Sequence, residues 1–206
     1  MVIATIQERL KRREEPSWEH TIEHMVKELN DEKKPSRVAH LLHDIVERAE
    51  QANIPWNNLN VPEESVDTAI ANLLYFAEHP EEGLSDISIY VKLLRSSHRR
   101  EGTLFAGEIA EYAGRLETAF EYYEKVAKKN VEESGRWNIS YFVNVLRLAK
   151  KCGYKEKYEF WADKAVHNRL RSGIGTEELM QTFRDNGLED IARSINWDSW
   201  SCAPLG

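Results

Sequence analysis

The spacing of apolar residues predicts helices along nearly the whole chain. Apolar positions recur three and four residues apart, which places them on one face of an α-helix, and no convincing run shows the alternation typical of β-strands. The clearest example follows Pro35, where one face collects Val38, Leu41, Leu42, Ile45, Val46 and Ala49. The pattern therefore predicts an all-α protein.

Prolines, glycines and short polar stretches divide this pattern into successive helices. In the first half we predict helices over about 2–14, 18–29, 36–49, 62–77 and 85–94, with Trp56 packed back onto the core from a loop. In the second half we predict pairs of helices, at about 102–113 with 116–129, 136–151 with 155–170, and 176–186 with a short helix ending near 195. We thus predict an N-terminal helical region over 1–98, made of divergent repeats or a separate bundle, and helical hairpins over 99–206.

A glycine joins the two helices of each predicted pair. Gly114, Gly153 and Gly187 lie 39 and 34 residues apart. Repeats of this length are typical of stacked helical hairpins. The tail beyond the last pair is either a capping segment or a disordered end, and its Trp197 and Trp200 favour a cap on the last hairpin. The two tryptophans could also form a contact between two copies of the chain.

The first pair has small and large residues where its two helices would cross. Gly107 and Ala110 stand on its first helix, and Ala119, Tyr123 and Val126 on its second. Small residues allow helices to approach closely, and a large one fills the groove beside them. This pair resembles a tetratricopeptide repeat. The second pair is similar at Phe142, Ala149, Gly153 and Ala165 and departs at Leu146, Tyr158 and Ala162, and the third keeps Gly187 and Ala192.

The resemblance covers about residues 100–196 and implies a tetratricopeptide-like α-solenoid of stacked antiparallel hairpins. In such an array the first helix of each pair lines a groove that binds a peptide or helix of another protein. Here the groove residues would be Leu104, Glu108, Glu111, Tyr112, Val143, Asn144, Arg147 and Lys150. One helix contributes acidic groups and the next basic groups, so a partner carrying both signs would fit.

One alternative to this groove remains open. An ordinary helical bundle would leave the same residues on a solvated surface. Within the family, some members hold a chaperone's C-terminal carboxylate with Asn and Lys; Glu108 and Leu104 replace them here, so that specificity is not expected.

Charge narrows the range of partners. The formal net charge of −7 disfavours a general nucleic-acid or anionic-membrane surface, because both attract clustered positive charge. The exception is the group Arg95, His98, Arg99 and Arg100, which supports an alternative in which the helices bind RNA. We find no secretory signal and no apolar run long enough to span a membrane, so we expect a soluble, cytoplasmic protein.

Histidines supply the one candidate for metal chemistry. His20 and His24 share a face of one predicted helix, and His40, His43 and Asp44 lie on the next. The His43-Asp44 pair resembles the motif of the HD metal phosphohydrolases, in which an earlier histidine also binds a divalent metal. The resemblance implies His20 in that role and a metal-activated water that attacks a phosphate ester.

The helical wheel favours a simpler interpretation. His40 and Asp44 point away from the apolar stripe of their helix, His43 lies well off that stripe, and the two earlier histidines point away from theirs. All are therefore predicted to be solvated, unless further helices cover that face. Asp67 or Asp86 could be a further ligand, with no support beyond the residue type. We therefore predict a protein-binding adaptor or scaffold without metal or cofactor, and keep HD-like hydrolysis and RNA binding as alternatives.

Overall fold

The structure is a computed structural model of the chain, and it describes residues 18–79, 101–133, 138–167 and 175–195. Within these segments every regular element is a helix and none is a strand. The all-α prediction is therefore confirmed. None of the described helices is both long enough and apolar enough to cross a membrane.

The described segments hold nine α-helices and one short 3₁₀ helix. In the first half α1 spans Trp18–Asp31, α2 Pro35–Gln51 and α3 Glu63–Glu78, and the 3₁₀ helix Trp56–Asn58 lies between α2 and α3. The later bounds are Glu101–Tyr112 for α4, Leu116–Glu133 for α5, Ile139–Cys152 for α6, Lys155–His167 for α7, Thr176–Asp185 for α8 and Glu189–Ser194 for α9. The helices predicted in these segments are confirmed, with ends that differ by a few residues.

Several predicted features lie outside the described residues. These are the helices over about 2–14 and 85–94, the basic group at 95–100, and Trp197 and Trp200. Asp86 lies there too.

Each helix packs against the next one along the chain from α1 to α7. Beyond them α8 packs on α9, which contacts α7, and α2 also contacts α4 directly. The buried side chains form one cluster that extends from Ile22 on α1 to Ile195 after α9, and Trp56 packs against it from its loop as predicted. The successive hairpins therefore share a continuous core.

The three turn glycines adopt the left-handed backbone conformation that ends a helix. Gly114, Gly153 and Gly187 have φ angles of 77°, 74° and 71°. After each glycine the chain folds back onto the helix, so that the amide of Tyr154, for example, donates to the carbonyl of Ala149 at 2.9 Å. Glycine reaches this conformation without the penalty that a β-carbon imposes. The sequence thus identified these turns correctly.

We expect Gly153→Ala to lower the free energy of unfolding by about 1 kcal/mol. The cause would be backbone strain alone, because a β-carbon at this glycine would meet nothing within 4 Å. Urea denaturation measures the change. Gly175→Ala is the matched control, since that glycine also has open space around it but a φ of −60°. Equal losses in the two variants would contradict the assignment of strain to the turn.

Gly107 lets α4 and α5 approach closely. A β-carbon on this glycine would lie 2.7 Å from Cε1 of Tyr123, whose side chain is buried. Real β-carbons almost never come so near to another atom. The small residue that the sequence places at this helix crossing is therefore required by the ring that fills the groove beside it.

Candidate functional site

Three helices, α2, α4 and α6, bring polar and aromatic side chains together on one surface. We call this surface the α2–α4–α6 face and define it by the side chains that contact or electrostatically influence one another there. They are His43, Asp44, Glu47 and Glu50 from α2, Phe105, Glu108, Glu111 and Tyr112 from α4, and Arg147 from α6. The contacts within this face decide which groups remain available to a partner.

Glu111 and Arg147 form a bidentate ion pair between α4 and α6. Both terminal nitrogens of the guanidinium donate to the carboxylate, one of them over 2.6 Å to Oε2. The Tyr123 hydroxyl also donates to Oε2 of Glu111, at 3.3 Å. The hydrogen bond to Glu111 raises the pKa of Arg147, although burial opposes the shift. Glu111 and Arg147, two of the four charged residues that the sequence assigns to the groove, therefore neutralise each other.

His43 lies between α2 and α4 and contacts acidic groups on both. Its Nε2 atom is 3.7 Å from Oε2 of Glu108, and its Nδ1 atom is 4.0 Å from Oδ1 of Asp44. The ring packs edge-on against Phe105, with centroids 4.3 Å apart. Burial lowers the pKa of His43, but the two carboxylates outweigh burial and raise it to about 9. The imidazole is therefore protonated at neutral pH.

The prediction that His40, His43 and Asp44 are solvated is wrong because these side chains are partly buried, whereas Glu47 and Glu50 on the same side of α2 are exposed. The side chains of His40, His43 and Asp44 retain only 21%, 16% and 32% of their exposure. A helical wheel describes one helix in isolation, and α4 contacts α2 directly. For His24 on α1 the prediction is confirmed, since this residue is exposed.

We expect stability to fall as the pH rises from about 6.5 towards 9 because of His43. A folded-state pKa raised to about 9 means that the folded protein holds the proton more tightly than the unfolded chain does. The stabilisation is complete below the unfolded pKa and is lost as the pH passes the folded one. The contacts of 3.7 and 4.0 Å are longer than hydrogen bonds. We therefore expect the protonated His43 to contribute only about 1 kcal/mol to the free energy of unfolding.

Denaturation midpoints across this pH range would test the expectation. His43→Gln should flatten the slope, whereas His24→Gln, which alters an exposed histidine, should leave it unchanged. If His43→Gln has the same pH dependence of stability as the wild type, the titrating group must be one other than His43.

Carboxylates dominate what remains of the face. Glu47 and Glu50 are exposed on α2, and the Glu108 side chain keeps 37% of its exposure. Desolvation and the negative charges of Glu108 and Glu111 raise the pKa of Glu50, against the opposing effect of Arg147. The surface of α2 beside α4 is therefore locally acidic.

Tyr112 ties α4 to the loop that follows α2. Its hydroxyl donates to the backbone carbonyl of Ile54, and its ring meets Trp56 edge-on at 6.0 Å between centroids. Both aromatic side chains stay partly exposed. They place apolar surface next to the carboxylates of the face.

The other predicted groove residues have different surroundings. Val143 is buried in the core, while Leu104 and Asn144 are partly buried, and Leu104 packs against that core. Lys150 is exposed, but its Nζ donates to the carbonyl of Gly187 over 2.7 Å and thereby joins α6 to the turn between α8 and α9.

The candidate metal ligands are brought together only in part. His43, Asp44 and Glu47 each place one ligand atom within 4.8 Å of the others. Asp67 instead accepts a hydrogen bond from Arg115 at 2.5 Å. The side chain of His20 lies outside the described residues. The residues that meet are thus a short stretch of one helix, and Glu47 is a member that the sequence interpretation missed.

Two acidic residues of the face could have been found from the sequence. Glu47 and Glu50 follow His43 by four and seven positions, the spacing of residues on one side of a helix. The sequence did not indicate that Phe105 would pack on His43 or that the Tyr123 hydroxyl would donate to Glu111, because both are contacts between different helices.

Comparisons with known proteins provide no relative for this chain. No family model, no curated protein and no solved structure matches it.

Proposed function

We propose that this chain is a cytoplasmic adaptor or scaffold that binds a peptide or helix of another protein through the α2–α4–α6 face. Its helices would be stacked as tetratricopeptide-like hairpins, with α2, α4 and α6 as the first helices of successive pairs. The observation that carries the proposal is that residues of these three helices meet on one surface. His43 contacts Glu108 between α2 and α4, and Glu111 binds Arg147 between α4 and α6.

The properties of the face support this role. It combines exposed charged groups with the partly exposed rings of Phe105 and Tyr112, and it lies on helices whose opposite sides are packed in the core. Peptide recognition commonly relies on such rigid surfaces with polar and apolar groups side by side. A partner segment lying across α2, α4 and α6 would contact the three hairpins that begin with these helices.

Affinity purification of the tagged chain from its native cell, with mass spectrometry of the bound proteins, tests the proposal. A face variant carries Glu47→Arg and Glu50→Arg, both at exposed positions of α2. A control variant carries Glu132→Arg and Glu159→Arg, which are exposed on α5 and α7 and change the net charge equally. We expect a stoichiometric partner that the control variant keeps and the face variant loses. Recovery of the chain alone would contradict the adaptor role, and equal retention by both variants would place binding elsewhere.

A second candidate is an HD-like metal site on α2, favoured by the convergence of His43, Asp44 and Glu47. An imidazole and two carboxylates are a suitable ligand set for a divalent transition metal. The chain would then be expected to retain stoichiometric metal after dialysis, measured by mass spectrometry. His43→Ala or Asp44→Ala should lose the metal and His24→Ala should keep it, and a metal-free wild-type chain would eliminate this candidate.

A further inference from the structure

We propose that the segment docking on the α2–α4–α6 face is basic, with lysine or arginine side chains placed against the exposed carboxylates of Glu47 and Glu50. This inference rests on the proposed function and specifies the chemistry of its partner. It replaces the partner of mixed charge that the sequence favours.

The first step concerns the cations of the face. Arg147 is bound by Glu111, and His43 lies against Glu108 and Asp44. Lys150, at the end of α6, donates to the carbonyl of Gly187 and lies 3.8 Å from a carboxylate oxygen of Asp190. These positive groups are already engaged within the fold, so an acidic partner would have to displace an existing contact to reach them.

The second step concerns the carboxylates. Glu47 and Glu50 are exposed on α2, and Glu50 lies in the combined negative field of Glu108 and Glu111. Desolvation is the largest cause of the raised pKa of Glu50. The charges of Glu108 and Glu111 raise it further, while Arg147 and His43 oppose them. A cation supplied from outside would relieve the repulsion, whereas an anion would increase it.

The third step concerns the apolar part of the face. Phe105 packs on His43, and Tyr112 packs on Trp56, all with partly exposed side chains. The alkyl stems of lysine and arginine cover such surface while their charged ends reach nearby carboxylates. Aromatic rings also attract these cations directly. Acidic and aromatic groups together therefore fit a basic polypeptide better than an inorganic cation.

Selection from a displayed library of random short peptides against the full chain tests this inference. Peptides enriched on the wild-type chain are measured by fluorescence anisotropy against the wild type, the face variant and the control variant. We expect them to be rich in lysine and arginine and to bind less tightly as the salt concentration rises. Affinity should fall about tenfold or more for the face variant, because attraction is replaced by repulsion at two positions, and should persist in the control variant.

The other outcomes separate this inference from the proposed function. Enrichment of neutral or acidic peptides that still require the face would overturn the basic partner and leave the adaptor role standing. Binding that falls equally in the control variant would reflect net charge and would overturn the docking of basic segments at this face. A selection in which no enriched peptide binds the wild type more tightly than the face variant would contradict both proposals.

Discussion

Replacing Gly107 with alanine is expected to lower the free energy of unfolding by about 3 kcal/mol, the upper range for overpacking a core. The added β-carbon would lie 2.7 Å from Cε1 of Tyr123, and this ring is buried between α4 and α5. Either the ring or a whole helix must shift. Because Tyr123 also donates to Glu111, the shift would disturb the ion pair at the face. Urea denaturation followed by circular dichroism measures the loss.

The double variant Gly107→Ala/Tyr123→Leu distinguishes a steric clash from a general intolerance of alanine. If the ring is the obstacle, its removal should make the double variant less destabilised than the sum of the single ones. Gly175→Ala, outside any close contact, should change stability little. Strict additivity of the first two changes would contradict the packing described for α4 and α5.

Removing the guanidinium with Arg147→Met is expected to cost about 2 kcal/mol at neutral pH. The Glu111 side chain keeps only 18% of its exposure. Without Arg147 its negative charge would be uncompensated and would lie near the negative charges of Glu50 and Glu108. Urea denaturation of the wild type and the variant at neutral pH measures the loss.

The pairing itself is tested by adding Glu111→Gln to Arg147→Met. Once the unpaired charge is gone, the double variant should recover most of the stability that the single variant loses. Lys151→Met, at an exposed position of the same helix α6, serves as a control for the removal of a cation. No recovery in the double variant would mean that Arg147 acts through its packing and not through Glu111.

The sequence could predict the helices and turns because each depends on residues close together in the chain. The apolar stripe of α2 and the glycine at the end of α6 are local features, and both agree with the structure. Gly107 is a partial exception. Its role became visible because a family resemblance supplied the position of its distant neighbour Tyr123.

The candidate site was harder to predict because its contacts join residues far apart in sequence. Glu111 and Arg147 are 36 positions apart, and the spacing within each helix says nothing about their meeting. His43 was assigned to solvent for the same reason, since α4, which covers it, begins only at Glu101. The sequence thus showed which residues lie on the polar sides of the helices but not which of them neutralise one another.

The packing of each helix on its neighbour in sequence has a consequence for how the chain folds. Most of the core can form by closing short loops, so the search for native contacts is brief and folding is expected to be fast. Local unfolding should begin at the two ends of the helical stack, where a helix packs against a neighbour on one side only. The α4 helix contacts α2, α3 and α5 and would be among the last to open. The α2–α4–α6 face would then persist through partial unfolding of α8 and α9.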